Sequence, residues 1–422
     1  MKLWLFAAVL CLSTLGVAAD SPVLKSSPAE QKIAAAELAI KKNPNQGRPY
    51  TDLAMALARR ARETSDASYY ARAEDALKKA LDLAPDNFEA RKTHVWILLG
   101  KHEFAQALKE AETLNRRSPD DVQVYGFLTD ANVELGHYAE AEKAAQWMLD
   151  IRPGNLPGLT RAAYLRELMG DLDGAAELMN EAFQETPVNE TEDRAWILTQ
   201  LAHLRLVTGG VEEADKLLGA ALRLYPHYHY ALENLAKVRV AQKKYAEAVE
   251  LLRQRNQSSP QPESLYALAE ALELAGHTDE ARAAYAEFVE KARRQMEIAD
   301  NANRELIFYY ADHAHDPAEA LRIGRTEVSR RQDCFTLDAY AWALQANGQY
   351  AEAKCQIEKA LAYGTRDAKF FYHAGAIAMK LNDRGTAERF LKQSLDLNSH
   401  SECSSTARQT LAALPSSVNP RP

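Results

Sequence analysis

One short segment carries the side chains best suited to chemistry. Asp312, His313, His315 and Asp316 place two imidazoles and two carboxylates within five residues, a set that could ligate a divalent metal ion. However, Asp316, with a proline behind it and Glu319 three residues on, also has the form of a helix N-cap. The N-cap accounts for half of the cluster without any metal. We therefore predict no metal site and keep a metal-dependent enzyme as an alternative.

The rest of the sequence lacks the common catalytic motifs. It contains no nucleophile elbow, phosphate-binding loop, dinucleotide fingerprint or HExxH motif. A second pair of histidines, His227 and His229, falls in a loop that leads into a predicted helix. We therefore predict no catalytic residues, no cofactor and no enzymatic activity.

The helices that would position the side chains of this sequence are predicted most clearly in the segment 337–353. Its apolar residues recur at helical spacing on both sides of a tight turn, with Gly348 and Tyr350 at the corner. Small residues, Ala341 and Ala353, stand where the two helices must touch. This pattern predicts a pair of antiparallel helices.

Alanines in the same setting as Ala353 recur along almost the whole chain. Successive gaps between them are 33, 34 or 39 residues. Where two helices cross at about 8–10 Å, a large side chain would hold the backbones apart, so the contact selects small residues. A second series of small residues marks the first helices, and prolines mark the ends of the second helices. The alanine series is Ala73, Ala107, Ala141, Ala175, Ala214, Ala248, Ala281, Ala320, Ala353 and Ala387.

In its period, its small positions and its prolines, the sequence resembles the tetratricopeptide repeat (TPR) family. The resemblance implies an all-α fold, a right-handed α-solenoid of about ten helix-turn-helix units with capping helices. Arg255, Phe288, Phe308 and Glu327 replace small or aliphatic residues and mark an irregular part. The implied organisation is an N-terminal capping helix at 28–44, units one to six at 47–261, irregular units seven and eight at 262–333, units nine and ten at 334–401, and a closing helix at 402–414.

The first residues predict export. An apolar run from Leu3 to Leu15, preceded by a lysine and followed by small residues, indicates a signal peptide at 1–19. We expect disorder in a leader at 20–27 and in a tail at 415–422. The apolar run is too short to span a bilayer, and no later segment is apolar enough to do so. The mature chain is therefore expected to be periplasmic or secreted, with no membrane span.

Charge and cysteine content narrow the partners and the redox chemistry. The net charge of -8 argues against a nucleic-acid or anionic-membrane partner. Export would place Cys334, Cys355 and Cys403 in an oxidising compartment. Because three is an odd number, and because Cys334 and Cys355 lie apart along the hairpin of one unit, free thiols, one strained pair and an intermolecular pair all remain open. No disulfide framework is expected to hold this fold.

The resemblance also implies a function. Similar proteins hold an extended peptide or a partner's helix in a concave groove formed by the first helices. We therefore expect a scaffold or adaptor that binds a protein or peptide. About ten units would give more than one superhelical turn and a long channel.

Spacing assigns an inward-facing stripe to the second, fifth and ninth residues of each unit. Its aromatic residues either form a binding groove or fill the space between successive first helices. Because tryptophan also stacks on sugar rings, a glycan- or peptidoglycan-associated binding protein is the alternative function. The candidate groove residues are Trp96, Tyr164, Trp196, His203, Tyr230, Tyr266, Tyr309, Phe335, Trp342 and Tyr372.

Overall fold

The computed structural model describes residues 27–297 and 301–414. Over these ranges it consists of 22 α-helices and one π-helical turn, with no β-strand. The all-α solenoid expected from the sequence is confirmed. The predicted signal peptide at 1–19 and tail at 415–422 lie outside the described residues. So does the predicted leader, except for Ser27, which caps the first helix.

The helices follow one another with short connections. The first eleven are α1 (Pro28–Lys42), α2 (Gly47–Thr64), α3 (Ser68–Leu83), α4 (Phe88–Gly100), α5 (Phe104–Arg117), α6 (Val122–Glu134), α7 (Tyr138–Ile151), α8 (Leu156–Leu168), α9 (Leu172–Glu185), α10 (Thr191–Val207) and α11 (Val211–Leu224). The others are α12 (His229–Ala241), α13 (Tyr245–Ser258), α14 (Pro262–Leu274), α15 (Thr278–Gln295), α16 (Asn301–Phe308), α17 (Pro317–Arg330), α18 (Cys334–Ala346), α19 (Tyr350–Leu361), α20 (Ala368–Lys380), α21 (Arg384–Leu397) and α22 (Ser404–Ala413). The π-helical turn Tyr309–His313 continues α16.

The even-numbered helices form the concave face of the solenoid. Each helix packs against its neighbours in sequence, and even-numbered helices also contact one another, as α2 does with α4, α4 with α6 and α6 with α8. The same holds for α14, α16, α18 and α20. Helices on the inner side of a curved array approach more closely than those on the outer side. These first helices therefore line the inside of the curve.

The alanine series lies at the helix crossings. Each of its ten members is at most 1% exposed, including Ala281 within the irregular part. A side chain larger than a methyl group would separate the two backbones at these points. The regular spacing of these alanines in the sequence therefore corresponds to the regular spacing of close helix contacts in the fold.

The solenoid returns on itself, so that successive superhelical turns touch. The backbone N–H of Cys334 donates to the hydroxyl of Tyr138 at 2.9 Å, although 196 residues separate them. The Thr365 hydroxyl donates to the carbonyl of Leu168 at 2.7 Å across 197 residues. Such a separation corresponds to about six repeats of 34 residues. We call this line of contacts the seam: it joins the α6–α7, α8–α9 and α10–α11 turns to the connections before α18, α20 and α22.

Two glycines let the turns approach closely at the seam. Gly136 has φ +78°, and a Cβ atom there would lie 2.7 Å from the carbonyl oxygen of Gln332. Gly364 has φ +92°, and its Cβ would lie 2.8 Å from the carbonyl oxygen of Met169. Both positions require a left-handed backbone and the absence of a side chain. The sequence thus permits backbone-to-backbone contact across the seam.

The C-terminal end of α2 makes further contacts between distant units. Arg59 pairs with Glu190 at 2.8 Å, and Arg62 pairs with Asp193 at 2.7 Å. A ring nitrogen of His229, at the start of α12, lies 3.2 Å from the carbonyl oxygen of Arg62. The first unit is therefore held against the fifth and sixth units.

The irregular part keeps the helical pairing with unusual residues inside. Phe288 is fully buried. Arg255 lies 2.9 Å from the carboxylate of Glu233, and Glu327 accepts a hydrogen bond from the amide of Asn303 at 2.8 Å. Burying a charged group is tolerated when it is paired and hydrogen-bonded. These substitutions therefore add internal polar contacts where other units have aliphatic packing.

The cysteines of the described ranges are free. Cys334 and Cys403 are buried, whereas Cys355 is exposed. Burial raises the pKa of the Cys334 thiol to about 12, which keeps it protonated and unreactive. None of the helices within 27–297 and 301–414 is long and apolar enough to cross a membrane.

Candidate functional site

A pocket of about 280 Å³ lies at the edge of the concave face, beside the seam. The α4–α5 turn, the C-terminal half of α6 and the middle of α8 form three of its walls. The connection before α18, from the next superhelical turn, closes it. We call it the seam pocket; it is lined by Leu99, His102, Phe104, Thr129, Asp130, Val133, Glu134, Arg161, Tyr164 and Arg331.

Helix α6 supplies the acidic wall of the seam pocket. Asp130 and Glu134 are four residues apart, so they project from one face of the helix. Arg161 reaches across from α8, and its Nε donates to Asp130 at 2.8 Å and to the carbonyl of Gly126 at 3.1 Å. A Cβ atom at Gly126 would lie 3.1 Å from the guanidinium carbon. This glycine therefore lets Arg161 lie against α6 and neutralise Asp130.

Arg331 brings a second guanidinium to the pocket from across the seam. It is 1% exposed. Its Nε lies 3.4 Å from a carboxylate oxygen of Glu327 and 4.0 Å from one of Asp333. Its Nη1 lies 3.8 Å from a carboxylate oxygen of Glu134. A buried guanidinium is costly unless nearby carboxylates compensate it, and among the described residues three carboxylates lie within 4.0 Å of this one.

Glu134 is the most perturbed carboxyl group of the pocket. Burial raises its pKa to about 7, and the negative charge of Asp333 adds to this effect. Burial also raises the pKa of Tyr164 well above its ordinary value, so the phenol stays neutral. Near neutral pH the pocket therefore contains a carboxyl group that changes between its neutral and ionised forms.

Aromatic rings form the apolar side of the pocket. His102 stacks on Phe104 with 5.3 Å between ring centroids. Phe104 is 6% exposed, and Tyr164 is half-buried. Apolar surface on one side and charged groups on the other suit the binding of a side chain that has an apolar stem and a polar end.

Of the ten predicted groove residues, Tyr164 lines the seam pocket. None of the ten is exposed, and several have well-defined internal partners. Trp342 stacks on His373 at 4.1 Å between ring centroids, and its indole N–H donates to Asp312 at 2.9 Å. The ring of Tyr372 lies 5.9 Å from that of Trp342. These contacts favour the packing interpretation for Trp342.

Two further groove candidates belong to an aromatic cluster in the irregular part. Tyr266 lies 5.1 Å from Phe288, and Tyr309 lies 5.4 Å from Tyr285, measured between ring centroids. His313 completes the cluster at 4.6 Å from Tyr285. The cluster joins α14, α15 and the π-helical turn. Its rings contact one another across these three elements.

The remaining candidates are half-buried along the concave face. Trp96, Trp196, Tyr230 and Phe335 pack against the hydrophobic cores of their own and neighbouring units. His203 lies 2.8 Å from the carboxylate of a glutamate on α8. The ten residues lie on first helices of several units. They stay predicted binding residues, distributed over successive units.

The histidine- and aspartate-rich segment at 312–316 does not converge on one point. Asp312 accepts the hydrogen bond of an indole N–H, and His313 bonds to a tyrosine hydroxyl of α15. Asp316 caps α17 by accepting from the backbone N–H of Glu319 at 3.1 Å, which confirms the predicted N-cap. His315 is exposed. Within 27–297 and 301–414, no group of three or more His, Cys, Asp and Glu side chains is arranged to hold a metal ion.

Sequence reasoning did not single out Asp130, Glu134 or Arg331. The first two carried a local signal, because acidic residues four apart near the end of a first helix share a face. Nothing in the sequence around Arg331 indicates that it faces α6. That contact depends on the pitch of the superhelix, which brings the next turn against the first.

Two segments of the chain match profiles of the tetratricopeptide repeat. One match covers residues 66–131 and the other covers residues 199–260. A search of curated proteins finds no match to the chain.

Many solved structures are similar at low sequence identity. Human IFIT1, solved as a dimer with PPP-AAAA, is 14% identical with a TM-score of 0.49, over 86% of this chain and 87% of that one. Yeast Tom70 is 14% identical with a TM-score of 0.41, over 91% and 92%. The APC/C hetero-tetramer Cut9-Hcn1 is 14% identical with a TM-score of 0.44, over 85% of this chain. The chain spans 55% of that relative's length.

The family assignment rests on features of this chain itself. Its alanine series has a period of about 34 residues, and consecutive helices pack in pairs. Small buried residues of this series occupy the helix crossings. The two profile matches fall on regular units of this array. The chain belongs to the tetratricopeptide repeat family.

Proposed function

We propose that this protein is an exported, non-catalytic scaffold that binds a segment of a partner protein at the seam pocket. Tetratricopeptide repeats form scaffolds for protein interaction. Stacked units of this kind create an extended concave surface, and the seam pocket lies at the edge of that surface. The proposal joins this general role to one specific site.

The single observation that supports this site is the opening beside Glu134 and Tyr164. Elsewhere on the stripe, rings such as that of Trp342 are engaged by neighbouring side chains. The connection before α18 also closes the pocket from across the seam. Both features favour the insertion of a short segment over the threading of a long peptide.

Export is the second part of the proposal. It is supported by the apolar run near the N-terminus and by the small residues that end at Ala19. Intact-mass measurement of the protein purified from its native host tests it directly. We expect the chain to begin at Asp20, and a chain that begins at Met1 and stays in the cytosolic fraction would contradict export.

Site-specific crosslinking tests the binding function. A photoreactive phenylalanine analogue is placed at Tyr164 in the native host, and in a matched strain at Trp147, which is 54% exposed on α7. We expect a discrete protein adduct from position 164 and none from position 147. Adducts from position 147 alone, or none from either position, would argue against partner binding at the seam pocket.

A second measurement distinguishes a glycan ligand, the alternative function, from a protein partner. Tryptophan fluorescence of the purified chain is followed while peptides or peptidoglycan fragments are added. A saturable change with the fragments and none with peptides would replace the proposed protein partner by a glycan.

A further inference from the structure

Glu134 is an acceptor that the protein leaves open. Its side chain is 30% exposed, and the closest guanidinium nitrogen, on Arg331, is 3.8 Å away. A hydrogen bond between a nitrogen and a carboxylate oxygen needs about 2.7–3.2 Å. Among the described residues, the polar contact that this carboxylate makes is the long ion pair with Arg331. A ligand donor is therefore the partner that this wall of the pocket lacks.

The neighbouring charges are already matched to one another. On α6 and α8, Asp130 is bound by Arg161 through two nitrogens. From α16, Arg304 reaches Asp333 at 3.1 Å. These contacts account for the carboxylates on either side of Glu134.

The opposite side of Glu134 faces Arg331, a cation that Glu134 shares with Glu327. From the connection before α18, Arg331 approaches Glu327 more closely than it approaches Glu134. The phenol of Tyr164, on α8, stays neutral, and His102 lies across the pocket. Glu134 is thus the carboxylate of this wall whose nearest cation, at 3.8 Å, lies beyond hydrogen-bonding distance.

The size and the walls of the pocket restrict what can meet Glu134. A volume of about 280 Å³ is below the roughly 300–1,000 Å³ of sites for drug-sized ligands. It accommodates one long side chain. The half-buried ring of Tyr164 offers apolar surface for an alkyl stem.

Resting on the proposed function, we propose that the seam pocket binds a lysine or arginine side chain of the partner segment, with the charged end at Glu134 and the stem against Tyr164. The class of ligand is thus a basic residue in an extended segment. A partner's acidic C-terminus is the competing ligand, since it could pair with a neutral Glu134 and with Arg161.

The two ligands differ in their dependence on pH. A basic side chain needs ionised Glu134, so its affinity rises as the pH passes upward through the raised pKa of that group. Between pH 6 and pH 8 we expect affinity to increase about tenfold, as the ionised fraction does. An acidic ligand prefers the protonated group and would bind more weakly over the same interval.

The test uses fluorescein-labelled decapeptides of glycine, serine and alanine that differ in one central residue: lysine, arginine, glutamine or glutamate. Binding to the mature chain is measured by anisotropy up to about 1 mM peptide, which reaches weak contacts of about 4 kcal/mol. Glu134→Gln removes the charge and keeps the shape. Glu142→Gln, on an exposed position of α7, makes the same change of charge away from the pocket.

We expect the lysine and arginine peptides to bind at least tenfold more tightly than the glutamine peptide. Glu134→Gln should abolish this difference, whereas Glu142→Gln should preserve it. Equal binding of all four peptides, preference for glutamate, or no binding in this range would contradict the proposal that the seam pocket binds a lysine or arginine side chain. The crosslink from position 164 reports on the proposed function separately, because an adduct there requires a partner but no basic residue.

Discussion

The hydroxyl of Tyr138 completes the N-terminal cap of a helix that begins at Cys334, one superhelical turn away. The first N–H groups of an α-helix have no partner inside the helix. Asp333 accepts the N–H groups of Phe335 and Thr336, and Tyr138 accepts that of Cys334. Secondary structure in the second turn is thus completed by a side chain of the first.

Tyr138→Phe should measurably destabilise the fold. The tyrosine is 3% exposed, so its loss leaves the Cys334 N–H without an acceptor, at a cost of about 1–3 kcal/mol. The free energy of unfolding in urea measures this. Tyr363→Phe is the control, because that hydroxyl is 3.4 Å from its acceptor and the residue is 41% exposed. If both variants lose the same stability, the buried cap is not the cause.

Glycine substitutions can isolate the contribution of the seam. Gly364→Ala forces a methyl group against the backbone of Met169, whereas Gly276→Ala has the same left-handed strain with nothing within 4 Å. Both variants incur about 1 kcal/mol of backbone cost. We expect Gly364→Ala to lose about 1–3 kcal/mol more, because overpacking is added. Thermal unfolding compares them, and equal melting temperatures would indicate that the seam adds no stability.

Much of the fold could be predicted because its determinants are local. Ala107 and Ala353 are each fully buried at a helix crossing, and their spacing repeats with the period of the unit. A small residue at a crossing is needed whatever the rest of the chain does. The seam could not be predicted in this way, because the hydrogen bond between Tyr138 and Cys334 depends on rotations accumulated over 196 residues.

Trp342→Ala tests the two interpretations of the aromatic stripe. The ring is 8% exposed and stacks on His373, so its removal should cost about 3–5 kcal/mol of stability. Trp147→Ala is the control, because that ring is 54% exposed and should cost less than about 1 kcal/mol. Urea unfolding followed by circular dichroism measures both. An unchanged stability of Trp342→Ala, together with lost partner binding, would favour the groove interpretation.

The candidate site was predictable only in part, for the same physical reason. Tyr164 follows from the inward-facing spacing of a first helix, and it lines the pocket. Arg331 closes the pocket from the next turn, and a residue there cannot be paired with Glu134 by any local pattern. A site formed by one helix can be predicted from the local spacing of its residues. A site completed across the seam can be predicted only when the geometry of the superhelix is known.

His229 should make the docking of the first unit sensitive to acid. Burial lowers the pKa of this histidine to about 4, because the 2% exposed ring is poorly solvated as an imidazolium. Its folded-state pKa is thus below its unfolded value of about 6.5, so the unfolded chain binds the proton more readily. The stability it contributes is present above pH 6.5 and is lost as the pH falls towards 4. The loss amounts to about 3 kcal/mol.

Replacing His229 by glutamine, which cannot titrate, should remove this part of the acid sensitivity. The free energy of unfolding is measured at pH 7 and pH 4.5 for the wild type, His229→Gln and His400→Gln, an exposed control. We expect the wild type and the control to lose about 2–3 kcal/mol more than His229→Gln over this interval. Hydrogen exchange in acid should accelerate first where α2 ends, because the carbonyl of Arg62 faces the ring. Parallel losses in all three proteins would mean that other groups dominate the response, and the contact between α2 and α12 would then not be the acid-labile point of the fold.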